Sequence, residues 1–279
     1  MRQWTCSAAI GLAALPWILG ASLSQPRAQD LATRNAPTPV VFQASGPNVA
    51  SIQATVDEFR FALGAVNNGN TPGPLASGRR EINWDGGGSA ATSLAATSLA
   101  ATPFAGFLLT RGALFATPGN GFVQAPASGL AETFTNASYA SAFQAFSPVR
   151  LFSPIGSNVT DVQFFVPGSG LEPATTRGFG AVFADVDQPD GGGPGGKRGN
   201  RGASTLIQYY SENGRLLYSS FVAASPGDAT ISFLGIVFND ARIASVRLTT
   251  GRVAPGADDD EHDVAVMDDF LFGEPQPLR

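Results

Sequence analysis

Cysteine and histidine are almost missing from this sequence, with one of each, Cys6 and His262, in 279 residues. A zinc site of the usual Cys/His type, an iron–sulfur cluster and a disulfide framework each need several such ligands, so all three are excluded. Charge is also scarce, at 14% of residues, and it leans acidic, with 17 Lys and Arg against 22 Asp and Glu. No dense basic patch exists outside one glycine-rich loop that holds Lys197, Arg198 and Arg201. An acidic chain repels phosphate backbones, so nucleic acid is not an expected partner. No apolar run of spanning length follows Leu23, so no membrane span is expected in the mature chain.

What the chain does have is a 43% hydrophobic fraction together with 33 Gly and 20 Pro. The apolar fraction supplies a sizeable core and excludes general disorder, while the abundance of turn formers disfavours an all-α fold. Arg2 opens a short basic segment, Ala8 to Leu23 is almost wholly apolar, and small residues follow at Ser22, Ser24 and Ala28. The run is shorter than the ~20 residues a span needs and Pro16 interrupts it, so residues 1–28 read as a secretory signal peptide and not as an anchor. Its removal leaves 15 basic and 22 acidic residues, a net charge of −7, and no cysteine. The expected destination is outside the cytoplasm, extracellular or periplasmic, with stability drawn from core size and a bound metal instead of disulfides.

Residues 29–48, rich in Pro, Asn, Gln and Thr, read as a linker or extended lead-in. Ile52, Val56, Phe59 and Leu63 then recur at helical spacing; Thr55 to Glu58 has the capping-box spacing and Gly64 stands ready to end the turn. One helix near 52–63 is therefore expected. The tandem pair Ala91–Ala95 and Ala96–Ala100 is too short for a repeat architecture and reads as a loop duplication. Short apolar runs broken by Gly, Pro, Asn and Ser predict strands at 79–86, 104–110, 113–116, 149–152, 161–166, 178–187, 204–211, 215–222, 230–238, 241–250 and 263–273. Asn213-Gly214 predicts a hairpin with a type I′ turn. With no strand–helix alternation after residue 66, the expected fold is all-β, an antiparallel two-sheet sandwich of jelly-roll-like type over 49–279 with one short N-terminal helix.

Several stretches carry a resemblance: Arg79 with Glu81-Ile82-Asn83-Trp84-Asp85-Gly86, Arg111-Gly112, Thr117-Pro118-Gly119-Asn120-Gly121-Phe122, Thr175 to Phe183, Phe233-Leu234-Gly235 and Val266-Met267-Asp268-Asp269-Phe270. Together they resemble an uncharacterised family of exported bacterial β-sandwich proteins, similar in style to carbohydrate-binding-module-like jelly rolls, over roughly 50–275. The resemblance implies the fold and export. Its likeness to calcium-containing jelly rolls further implies a structural ion near a terminal strand.

Candidate metal ligands follow from acids in strands. A period of two puts Asp268 on one face with Val264, Val266, Phe270 and Phe272, and an acid on an apolar face needs an Arg, backbone N–H groups or a cation. Asp185 and Asp187 share a face at a strand end, about 7 Å apart at ~3.3 Å per residue. Calcium, which takes carboxylate and carbonyl oxygens in irregular geometry, is the expected ion, with Glu81 and Asp85 as further ligands. The competing readings are Arg–Asp pairs and solvated turn acids. The run Asp258 to Asp263 reads as a solvated tip, and His262 lacks the context of a catalytic triad. Gly191 to Arg198 has phosphate-loop spacing, but Arg198 replaces the required Ser or Thr and a strand follows instead of a helix. Trp84, Tyr209 and Tyr210 are candidate stacking platforms for sugar rings, against the plainer expectation that such aromatics are core.

These readings lead to a secreted, non-catalytic β-sandwich that binds polysaccharide or another cell-surface component and holds a structural calcium ion. The alternatives are a jelly-roll glycoside hydrolase or lyase using paired carboxylates, and a structural envelope or matrix protein.

Overall fold

The computed structural model describes residues 37–85, 97–187, 205–256 and 263–278. The expected signal peptide, the first tandem copy, the glycine-rich loop with its phosphate-loop spacing, and residues 258–262 of the acidic run lie outside them.

The strands are β1 (Val40–Gly46), β2 (Arg79–Ile82), β3 (Ser98–Ala100), β4 (Ala113–Ala116), β5 (Gly121–Ala125), β6 (Leu151–Ile155), β7 (Val159–Phe164), β8 (Ala174–Thr175), β9 (Gly178–Ala184), β10 (Leu206–Tyr210), β11 (Leu216–Phe221), β12 (Ile231–Val237), β13 (Ser245–Thr249), β14 (Val266–Gly273) and β15 (Gln276–Pro277). The helices are α1 (Val49–Leu63), α2 (Leu108–Arg111), α3 (Ala127–Phe134) and α4 (Tyr139–Ala142). An eight-stranded sheet runs β1-β12-β9-β14-β6-β5-β3, with β2 also paired to β14, and faces a five-stranded sheet ordered β11-β10-β13-β7-β4. All ladder pairings are antiparallel, so the chain is an all-β two-sheet sandwich. Strands β8 and β15 form a separate ribbon.

The larger sheet is covered on both sides, which is why β9, β12 and β14 are buried along their whole length. Its inner face meets the smaller sheet through Phe122, Phe152, Phe179, Phe183, Phe270 and Phe272. Its outer face is capped in two patches. Ile52, Val56, Phe59 and Leu63 of α1 pack on Val182, Phe233 and Leu271, and Leu130, Phe134 and Tyr139 of α3 and α4 pack on Val123, Leu151 and Val266. Each fully buried aromatic or aliphatic side chain contributes roughly 1.5–3 kcal/mol, so the helices hold the sheet by burial. Gly180 of β9 and Gly235 of β12 are register partners. A Cβ at either would stand within 2.8 Å of the Phe59 ring, so the two glycines form the notch that seats it.

The expected helix is present with all four predicted apolar positions buried, but it starts earlier: Asn48 caps it by accepting from the Ser51 amide at 3.2 Å, and Thr55 lies inside the helix. Three further helices are present among the described residues, α2 where a strand was predicted at 104–110, and α3 and α4 in a stretch that lacks a clear apolar period. Residues 40–46 of the expected lead-in form an edge strand paired to β12 through seven residues. The Asn213-Gly214 hairpin is built as expected, but only Gly214 of the two has positive φ (70°). Ser211 and Arg215 close the turn with a main-chain bond of 3.0 Å, giving a three-residue loop with Gly in the left-handed position instead of a type I′ turn.

Candidate functional site

One sheet face has no cover among the described residues. Along β7, β10 and β13 buried and accessible residues alternate strictly. The buried set (Val162, Ile207, Tyr209, Val246, Leu248) enters the core between the sheets, and the other set faces outward. Register aligns the outward residues in rows: Ser219, Gln208, Arg247 and Asp161 in one, Leu216, Tyr210, Ser245 and Gln163 in the next. The charges in the first row cancel locally, since Arg247 meets Asp161 with two parallel bonds of 2.7 and 2.8 Å. What remains in these two rows is amides and hydroxyls with one tyrosine and Leu216, and the adjoining outward row of Phe221, Leu206, Thr249 and Val159 is mostly apolar.

The sugar-stacking reading is thereby narrowed. Trp84 is fully buried, stacked on Phe152 at a ring separation of 3.7 Å. Tyr209 is also fully buried, and the Phe179 carbonyl accepts from its hydroxyl at 3.4 Å. Neither offers a ring face to a ligand; Tyr210, on the opposite side of β10, is half-buried on the bare face.

Of the five expected metal ligands, Glu81, Asp85 and Asp268 gather at the outer face of the larger sheet. A β-bulge brings this about. Met267 pairs with Phe183 and Phe270 with Ala181, so Asp268 and Asp269 share the single position opposite Val182. The bulge breaks the period of two: Val266 packs outward under α3 and α4, whereas Phe270 and Phe272 point inward, so the expected common face of Val266, Asp268 and Phe270 does not exist. Asp268 Oδ2 accepts the Phe146 amide at 2.6 Å, and Asp269 Oδ1 accepts the Ser147 hydroxyl at 2.6 Å. Asp85 Oδ1 accepts the amides of Val149 and Arg150 at 2.6 and 2.8 Å. Glu81 pairs with Arg79 at 2.6 Å and Arg60 at 3.1 Å. Burial pushes Asp268 well above the usual carboxylate range, reinforced by Asp269 beside it. Burial also pushes Asp269 up to about 6, against the pull of Ser147, Asp268 and Arg60. These acids fasten the 146–150 segment to the sheet. Their oxygens are already met by amides, a hydroxyl and guanidinium groups, so they do not fit a cation.

Asp185 and Asp187, just beyond β9, differ. Asp263, on the approach to β14, lies beside them, and its Oδ1 accepts the Asp187 amide at 3.3 Å. Asp187 Oδ1 accepts the Gly227 amide at 2.7 Å. Asp185 Oδ1 and Asp263 Oδ2 are buried with no hydrogen-bond partner. Burial pushes Asp185 up to about 8, with Asp187, Asp263 and Asp228 adding only repulsion. Asp263 is pushed up to about 6, again mainly by burial. Among the described residues no three Asp, Glu, His or Cys side chains converge as a ready metal cage. The two orphan oxygens are nonetheless of the kind that a hard cation would satisfy. Asp263 was read from sequence as part of a solvated tip; its contact with Asp187 spans 76 residues and has no local signal. A buried pair was also missed: Arg80 grips Glu274 with bonds of 2.6 and 2.7 Å, and the carbonyls of Gly69 and Thr110 accept from its Nη1.

The molecule thus belongs to the all-β two-sheet sandwiches, with one sheet covered on both faces and the outer face of the other uncovered among the described residues. No protein-family model matches the chain, and neither a curated protein nor a solved structure matches it. No helix among the described residues is long and apolar enough to cross a membrane.

Proposed function

We propose that the chain is a secreted, non-catalytic β-sandwich that binds polysaccharide on the bare face of its five-stranded sheet and holds a structural calcium ion at Asp185, Asp187 and Asp263. The observation that carries the binding reading is the composition of that face. Gln208, Gln163, Ser219 and Ser245 both donate and accept hydrogen bonds, Tyr210 supplies an aromatic edge, and the single ion pair is neutralised within the face. An uncharged polyhydroxylated chain is the complement to such a surface; a nucleic acid or a strongly charged protein is not. The resemblance to exported bacterial sandwiches supports the same compartment. The non-catalytic reading draws support from Asp268 and Asp269, which lie at 0% and 3% exposure and are fastened to a main-chain segment, out of reach of a glycosidic bond. When bound, calcium would supply positive charge to carboxylates that otherwise repel one another.

The test is retention of the purified chain on a panel of insoluble and gel-embedded neutral polysaccharides. Retention on at least one, lost in the triple variant Gln163→Ala/Gln208→Ala/Tyr210→Ala at unchanged melting temperature, is the expected result. No retention on any polymer, or an equally retained variant, overturns the assignment.

A further inference from the structure

At one end of the sandwich, away from the acids, a groove of about 260 Å³ opens between the β10–β11 turn, the Ala241-Arg242 bend and the β15 ribbon. Cavities for drug-sized ligands run roughly 300–1,000 Å³, so this one takes a single ring. Its wall contains uncommitted groups of both kinds. The Arg215 guanidinium, the Asn213 amide and the Glu212 carboxylate line it without a side-chain partner among the described residues. Gln276 donates through Nε2 to the Leu75 carbonyl at 2.8 Å, which fixes the amide and leaves Oε1 as an acceptor. Arg242 is immobilised between Asp240 and the Phe238 ring, 5.2 Å from the centroid. Pro277 and Leu278 add an apolar strip, and Leu278 is 42% exposed.

We infer that this groove is a second binding site, one that takes a single neutral sugar unit such as the end of a glycan chain. A sugar hydroxyl donates one hydrogen bond and accepts others, so it needs donors and acceptors side by side, as Arg215, Asn213, Glu212 and Gln276 provide. The C–H face of a pyranose is apolar and suits Pro277 and Leu278. A purely anionic ligand would meet Glu212, and a cationic one Arg215. The inference rests on the polysaccharide reading but concerns different residues, and Tyr210, adjacent to Ser211 of the groove wall, is where the bare face and the groove meet along the chain.

The experiment is NMR titration of the full chain with free glucose, galactose, mannose and N-acetylglucosamine, and with glucuronate as the charged control. At least one neutral sugar should shift the amides of residues 211–215 and 241–242, and Glu212→Ala/Arg215→Ala should weaken it by about tenfold or more. Both replaced residues lie in an exposed turn, so an unchanged melting temperature shows that folding is intact. No neutral sugar shifting these amides, glucuronate alone shifting them, or undiminished binding by the double variant each overturns the inference. Failure here and failure of the sheet-face reading separate cleanly: polymer retention tracks Gln163, Gln208 and Tyr210, whereas free-sugar shifts track Glu212 and Arg215.

Discussion

The indole N–H of Trp84 donates to the main-chain carbonyl of Asp268 at 2.8 Å, joining positions 184 residues apart. That carbonyl sits at the β14 bulge, where two residues oppose one and the ladder is interrupted. Trp84 itself has φ of 62°, unusual for a large side chain, so the chain accepts local backbone strain at the point where the indole reaches the bulge. The bulge, the aromatic stack on Phe152 and the acids beyond it therefore form one unit.

Trp84→Phe should keep most of the stack and leave the Asp268 carbonyl buried and unpaired. A loss of about 2–4 kcal/mol is expected from the missing hydrogen bond and the reduced volume. Urea unfolding followed by circular dichroism would measure it, and a midpoint unchanged from wild type would show that the bulge does not depend on the indole.

The sandwich was legible in the sequence because most of its strands are bounded by strong turn formers, and because β7, β10 and β13 keep the alternation of a half-buried strand. The site was less so. Asp268 was singled out correctly as an acid needing a partner, yet its face was misassigned, because a one-residue bulge reverses side-chain direction and leaves no trace in local composition. The pairings of Asp263 and Glu274 were not legible for another reason: their partners Asp187 and Arg80 lie 76 and 194 residues away, and single-sequence periodicity carries no information on such pairings. Strand β1 was hidden because most of its side chains are only partly buried and its pattern is weak.

Gly180→Ala would drive a Cβ to within 2.8 Å of the Phe59 ring and 2.9 Å of the Gly235 main chain. Overpacking of this kind costs about 1–3 kcal/mol. The melting temperature should fall, and Phe59→Leu in the same chain should recover part of the loss although each change alone destabilises. Purely additive effects would show that the notch and the ring do not compete for the same space.

Asp268 separates isosteric from truncating changes. Asp268→Asn keeps an oxygen for the Phe146 amide and removes a charge that burial already disfavours. Stability at pH 7 should be equal to or above wild type. Asp268→Ala leaves that amide without its acceptor and opens a small void, at about 2–4 kcal/mol. If Asn proved as damaging as Ala, the carboxylate would have to be acting as an anion, and the assignment of Asp268 as a fastening for the 146–150 segment would fall.

The strand-end acids make stability depend on both pH and calcium, with a sign that can be fixed in advance. Asp185 is raised from 3.8 to about 8 and Asp263 from 3.8 to about 6, so the folded chain holds these protons more tightly than the unfolded one. Their contribution is fully present below pH 3.8 and is lost progressively as pH rises through about 6 and then about 8. Without metal, this contribution to the melting temperature should therefore decline from pH 5 to pH 8.5. A calcium ion competes with those protons, so its stabilisation should run the other way, small at pH 5 and large at pH 8. Differential scanning calorimetry with excess calcium and with chelator at the two pH values would resolve the pair of effects. Asp185→Asn and Asp263→Asn should each flatten the pH dependence and remove the calcium response, whereas Asp268→Asn should leave the calcium response intact. No calcium shift at either pH value, or one left intact by both Asp185→Asn and Asp263→Asn, would overturn the placing of an ion at the end of β9.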